Sequence, residues 1–149
     1  CEASELADAG WAVTYLDVRN PPAFDSRITF VQHDAIDLPF ADASFDAVSS
    51  SCVLCHAGMG RYGDPLVANG DALMLAEIAR VLKPGALAAI TFGPMGEEEA
   101  QDGITHRLYT HDSAWRMASA AGFVEQTHEV FDGAETGALD YLSMMLRRI

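Results

Sequence analysis

A chain of 149 residues, half of them hydrophobic and about a fifth charged, is long enough to bury the core of one domain, and one domain over residues 1–149 is expected. Its net charge of −13 counts against nucleic acid or an anionic membrane as partner, because both select for Lys and Arg. No apolar run approaches the ~18–20 residues that span a bilayer.

Residues 3–9 read as the end of a helix, with Gly10 as its left-handed cap. Residues 11–18 (WAVTYLDV) are β-branched and aromatic, a strand. A loop with two prolines covers residues 20–26, and residues 28–33 (ITFVQH) form the next strand. Residues 45–50 make a short apolar strand that runs into a Ser-rich turn. Residues 71–82 place Leu73, Leu75, Ala76, Ile78, Ala79 and Leu82 at helical spacing, and Lys83-Pro84-Gly85 stops that helix. Residues 86–92 (ALAAITF) are almost wholly apolar, as a parallel strand covered on both faces requires. An acidic loop over residues 93–103, a second amphipathic helix over 111–121 and two strand-like runs at 123–131 and 138–148 complete the chain. Strands that alternate with helices predict an α/β fold with a mostly parallel sheet, helices on both faces and a C-terminal antiparallel hairpin at its edge.

Several short motifs stand out against this frame. Asp17 ends one strand and Asp34 follows the next, so both carboxylates are expected at one crevice outside the carboxyl edge of the sheet. Asp37-Leu38-Pro39-Phe40, then Ser44-Phe45-Asp46-Ala47-Val48, then Arg80-Val81-Leu82-Lys83-Pro84-Gly85, occur in that order. Together they resemble the middle of class I S-adenosylmethionine (SAM)-dependent methyltransferases, which are Rossmann-like. The loop Gly60-Arg61-Tyr62-Gly63-Asp64-Pro65, with Asn69-Gly70-Asp71 and a later His106-Arg107-Leu108-Tyr109, is similar to a subgroup of uncharacterised methyltransferase-like proteins.

The resemblance implies S-adenosyl-L-methionine as cofactor and methyl transfer to a small-molecule acceptor. It gives Asp17, with Val18 beside it, the ribose hydroxyls, and it gives Asp34 the adenine amino group, with Ala35 and Ile36 at the ring edge. Ser51 lies where the family's fourth strand meets the cofactor. His56 falls near the sulfonium, where an imidazole removes a proton from an acceptor hydroxyl or lines the pocket. Arg61, Tyr62, His106 and Arg107 are expected to converge as an acceptor site that holds an anionic or hydroxyl-rich group. The alternative for the Gly60–Pro65 stretch is a structured loop with an internal Arg–Asp pair. No (Asn/Asp)-Pro-Pro-(Tyr/Phe) tetrapeptide is present, which argues against methylation of a planar nitrogen.

Other readings compete. Cys52-Val53-Leu54-Cys55-His56 has the C-x-x-C-H spacing of haem attachment, and a zinc site or redox dithiol uses similar spacing. The methyltransferase pattern needs this segment as a strand-to-loop turn, which makes the cysteines buried or loop residues and no metal is expected. Three cysteines make no disulfide framework, so a reducing cytoplasm is the expected setting. The chain opens at Cys1, and the glycine-rich loop that follows the family's first strand has no counterpart, so a truncated first strand is expected. Without that loop, SAM binding is expected to be poor. A non-catalytic binding or scaffolding module of the same fold is the rival function.

Overall fold

The computed structural model describes residues 2–20, 25–96, 101–102, 106–132 and 140–149. Helix α1 (Glu2–Asp8) leads into β1 (Val13–Asp17), which pairs in parallel with β2 (Ile28–Gln32). Strand β1 begins later than the apolar pattern suggests, because the Trp11 N–H donates to the Leu6 carbonyl at 3.1 Å and belongs to the helix exit. The two prolines of the following loop lie outside the described residues.

A second sheet has the order β3-β4-β8-β7, built from β3 (Phe45–Ser50), β4 (Leu82–Pro94), β7 (Phe123–Phe131) and β8 (Tyr141–Arg148). Strands β3 and β4 are parallel, and β8 runs antiparallel to both β4 and β7. The expected C-terminal hairpin is therefore present, with β8 rather than β7 beside β4. Residues 138–139 of the last expected strand, and the turn before them, lie outside the described residues. A small antiparallel pair, β5 (Gln101–Asp102) and β6 (His106–Arg107), interrupts the expected acidic loop.

Strand β4 is longer than its apolar stretch. Phe45 faces Leu82 and Ala47 faces Leu87, so residues 83–86 bulge out opposite Asp46 alone. Gly85 takes a φ of 80° in this bulge, which a side chain would resist, and Lys83 Nζ reaches Asp46 Oδ1 at 2.6 Å. The Lys-Pro-Gly stop thus ends helix α2 (Gly70–Val81) while remaining part of the sheet.

Alternation along β4 decides which face is the core. Ala88, Ile90 and Phe92 are fully buried, and Ala88 and Ile90 lie opposite Leu146 and Met144 of β8. Helix α2 adds Met74, Leu75 and Ile78 to this cluster, and α3 (His111–Ala120) adds Ala114 and Ala118. On the other face of β4, Leu87 is 37% exposed. The strand expected to be covered on both faces is covered on one by α2 and α3 and, among the described residues, stays partly open on the other. Leu73, read as a core position of α2, also lies exposed.

Among the described residues, β1 bonds only to β2 and β3 only to β4, so the expected single sheet is divided in two. Polar contacts bridge the division. Arg80 of α2 donates through Nη1 to Phe40 O (2.7 Å) and through Nη2 to Leu38 O (2.9 Å). Its Nε and Nη2 also bond Glu77, whose Oε2 accepts the Leu38 N–H at 2.8 Å. The Asp37-Leu38-Pro39-Phe40 motif is the segment that this Arg80–Glu77 fork grips.

The Arg80 hydrogen bonds, against a smaller opposing effect of burial, hold the Glu77 carboxyl below its ordinary value of 4.5. A lowered folded-state pKa contributes stability that is full above 4.5 and fades as pH falls through the lowered value. Glu77→Gln is therefore expected to give a shallower loss of stability on acidification below that point, with reduced hydrogen-exchange protection of the Leu38 amide. Urea titrations across pH 3–7 check the first, and exchange NMR the second.

Candidate functional site

Because β1 and β2 are parallel, both emerge at the same sheet edge. Asp17 is the last residue of β1, and Asp34 lies two residues past β2. Beside them opens a crevice of about 330 Å³, lined by Val18, Gln32, His33, Asp34, Gly63, Asp64 and Pro65. The ends of β1 and β2 and the Gly60-Arg61-Tyr62-Gly63-Asp64-Pro65 loop are thus two walls of one cleft.

Asp34 has a divided carboxylate. Its Oδ1 accepts the Ile36 N–H at 3.1 Å, which folds the chain so that Ala35 and Ile36 pack against the core. Its Oδ2 is buried and has no hydrogen-bond partner among the described residues. A buried acceptor without a donor is costly, and Asp34 is one of the residues that line the crevice. An exocyclic amino group such as that of adenine fits this acceptor.

Asp17 is engaged already. Arg19 donates to it three times, from its backbone N–H (2.9 Å), Nε (3.0 Å) and Nη2 (2.8 Å). These bonds hold the Asp17 carboxyl below the usual range, with burial opposing them. The Arg19 guanidinium also lies 4.6 Å from the Tyr62 ring centroid. Arg19, which no sequence motif marked, therefore connects the strand-end acid to the opposite loop.

Within that loop, Asp64 collects backbone donors. The Asp64 carboxylate accepts the Gly60 and Tyr62 N–H groups, each at 3.0 Å. Burial raises its pKa, but backbone N–H groups of Tyr62, Gly60, Asp64 and Met59 outweigh it and leave the carboxyl below its ordinary value. Tyr62 is left at the centre of an aromatic and cationic group. The Arg61 guanidinium sits 5.4 Å from its ring, and the His56 ring meets it edge-on at 5.6 Å. His56 in turn lies 6.2 Å from the His106 ring. His56, Tyr62 and His106 are brought together, with Arg61 exposed beside them.

Arg107 has a different place from the one its type suggested. Its Nη1 donates to Ala57 O at 2.6 Å, and Nη2 to Val67 O (3.3 Å) and Ala68 O (3.2 Å). Its Nε lies 3.6 Å from Asp71 Oδ2, which also accepts the buried Tyr109 hydroxyl at 3.0 Å. Arg107 braces the loop after β3 from within, so its donors are spent on carbonyls rather than offered to an acceptor. Burial, with the Asp71 charge and hydrogen bond, pushes the Tyr109 phenol far up, so it remains a donor throughout the physiological range. Gly70 completes the brace: a Cβ there would lie 2.5 Å from Ala57 O.

The turn after β3 carries the remaining candidates. Ser50 Oγ is buried with no hydrogen-bond partner among the described residues, Ser51 is exposed, and Cys52 has a φ of 55°. A positive φ at a non-glycine residue costs energy and recurs at functional turns. A short 3-10 turn (Leu54–His56) then buries Cys55 and presents His56. Cys55 packs in the core, and burial, with Cys52 close by, pushes its thiol up to about 12. One exposed and one buried sulfur do not make the paired attachment that haem needs.

Residues 2–90 match the family model described as a methyltransferase domain. The chain belongs to this methyltransferase-domain family, and its fold is that of class I SAM-dependent methyltransferases. It is 34% identical over 134 residues to an uncharacterized methyltransferase of Mycobacterium avium (strain 104), covering 80% of this chain and 47% of that protein. It is 44% identical over 68 residues to the demethylmenaquinone methyltransferase of Clavibacter sepedonicus, covering 46% and 23% respectively. The chain thus spans half or less of these relatives. Its fold is similar to that of 1,6-didemethyltoxoflavin-N1-methyltransferase from Burkholderia thailandensis, solved with 1,6-didemethyltoxoflavin and S-adenosylhomocysteine. That match has a TM-score of 0.78 at 20% identity and covers 97% of this chain and 64% of the other. No helix among the described residues is long and apolar enough to cross a membrane.

Tyr109→Phe removes the hydroxyl donated to Asp71 Oδ2 and leaves a buried carboxylate underserved. The expected cost is about 1–3 kcal/mol of folding stability. Arg107→Ala is expected to cost more, because three carbonyls lose a charged donor together. Urea midpoints of the two variants against the parent chain test this ranking.

Proposed function

We propose that this chain forms the adenosine-binding and acceptor-binding part of a SAM-dependent methyltransferase acting on a small molecule. The observation that carries the reading is the buried Asp34 Oδ2, an acceptor without a donor in the wall of the crevice. In this reading Asp34 takes the adenine amino group, while Ala35 and Ile36 flank the ring. Asp17 and Val18 meet the ribose, whose hydroxyls share the carboxylate with Arg19 or displace it. Ser51 faces the cofactor from the turn after β3.

Bound SAM supplies a methyl group already made electrophilic by its sulfonium, so orientation of the acceptor is the protein's main task. His56, set between Tyr62 and His106, is the base for an acceptor hydroxyl. Tyr62 offers a face to a planar or hydroxylated acceptor, and Arg61 offers a cation to an anionic one. Arg107 has no place in this acceptor site; its role is to brace the loop that carries His56. The reducing cytoplasm is the proposed setting, a choice supported by the free thiols of Cys52 and Cys55.

Adenosine is the appropriate probe, because its base and ribose need only this crevice. Asp34→Ala is expected to weaken adenosine binding about tenfold, the usual effect of losing a hydrogen bond worth about 1.4 kcal/mol. Saturation-transfer NMR with the whole chain measures this. Equal affinity in the variant and the parent would remove Asp34 from the site, and no adenosine binding to the parent would favour the scaffolding alternative.

A further inference from the structure

At the outer edge of the larger sheet, away from the crevice, three side chains of metal-ligand type meet. His111 opens α3, and Glu125 and His128 lie on β7. His111 Nε2 stands 3.2 Å from Glu125 Oε2, and His128 Nδ1 stands 2.7 Å from Glu125 Oε1. One potential ligand atom from each of the three lies within 4.8 Å of the other two.

Sequence spacing alone opposes this grouping. Residues three apart on a regular strand point to opposite faces. A bulge removes the conflict: Glu125 faces Leu146 and Thr127 faces Met145, so Gln126 is the extra residue. His128 then falls opposite Met144. Leu146 and Met144 share the buried face of β8, so Glu125 and His128 share the same face of β7. That is the face against which α3 packs through Ala114 and Ala118, and its first residue, His111, meets both Glu125 and the His128 ring, 4.3 Å away. The bulge is what completes the trio.

We propose that His111, Glu125 and His128 form a site for a divalent transition-metal ion, of which Zn2+ is the best fit, held by two imidazole nitrogens and one carboxylate with a fourth position open to water. Ligand atoms of a tetrahedral Zn2+ at ~2.1 Å stand about 3.4 Å apart, so the observed separations close onto an ion with side-chain adjustment alone. Imidazole and carboxylate donors suit Zn2+, Ni2+ and Cu2+ and suit Ca2+ poorly. Glu125 supplies negative charge and is only 17% exposed, whereas both His side chains are over 40% exposed, so an ion from solvent reaches them. Strand β7 is separated from β3 by two intervening strands, so the ion is a staple between α3 and the sheet edge, outside the proposed methyl-transfer chemistry.

Titration calorimetry of the whole chain with Zn2+ tests this, alongside His128→Gln and Cys52→Ser. The expected result is one saturable equivalent in the parent and in Cys52→Ser, weakened about tenfold or more in His128→Gln. With Co2+ in place of Zn2+, the spectrum is expected to lack a thiolate charge-transfer band. Absence of saturable binding, a loss smaller than tenfold in His128→Gln, or a site that depends on Cys52 overturns the proposal. If His128→Gln does not fold by circular dichroism, Glu125→Gln is read against the same threshold.

Discussion

The Arg80–Glu77 fork holds together two sheet fragments that, among the described residues, no strand pairing joins. One planar cation spans two carbonyls of the 37–40 segment and the carboxylate one helical turn away. A guanidinium suits this task because its donors are fixed in one plane, whereas a lysine ammonium would satisfy fewer acceptors at once. The 37–40 segment follows directly from Asp34, so the position of the crevice wall depends on this contact. Arg80 is also close to the end of α2, where a cation is favoured by the helix dipole. The motif residues around it are thus parts of one joint.

A second polar joint works from inside. Asp71, Arg107 and Tyr109 meet beneath the loop after β3, and through Arg107 they fix the carbonyls of Ala57, Val67 and Ala68. Buried charges are tolerated here because almost every donor finds an acceptor. His56 immediately precedes Ala57, so a candidate base stands on a loop braced by three side chains. This joint also explains why Asn69-Gly70-Asp71 and His106-Arg107-Leu108-Tyr109 occur together: Asp71 is the common partner, and Gly70 permits the close approach to Ala57 O.

What the sequence made legible was set by local rules. β-Branched alternation marked β1 and β2, and the run 86–92 marked the centre of β4, because burial imposes periodicity directly. The placement of Asp17 and Asp34 at one edge followed from parallel pairing. The role of Arg107 was not legible, since residue type cannot say whether a cation meets a ligand or a carbonyl. The extent of β4 was hidden because a bulge admits Lys83-Pro84-Gly85 into a strand. The His111–Glu125–His128 group was hidden for the same reason, as its spacing makes sense only once Gln126 is taken out of register. Arg19 escaped notice because its importance lies in reaching Tyr62 across the cleft.

Arg19 also bears on how the two walls of the crevice act together. It binds both oxygens of Asp17 and lies over Tyr62, which contacts His56 and Arg61. In the proposed reading a ribose at Asp17 competes for those oxygens, so Arg19 must share them or turn away. Turning away changes what lies over the Tyr62 ring, and hence the surface offered to the proposed acceptor. Filling the ribose end would therefore reach the acceptor end through one side chain, without any strand or helix moving. A single guanidinium is suited to this, because Arg19 is itself exposed and meets water when it leaves Asp17.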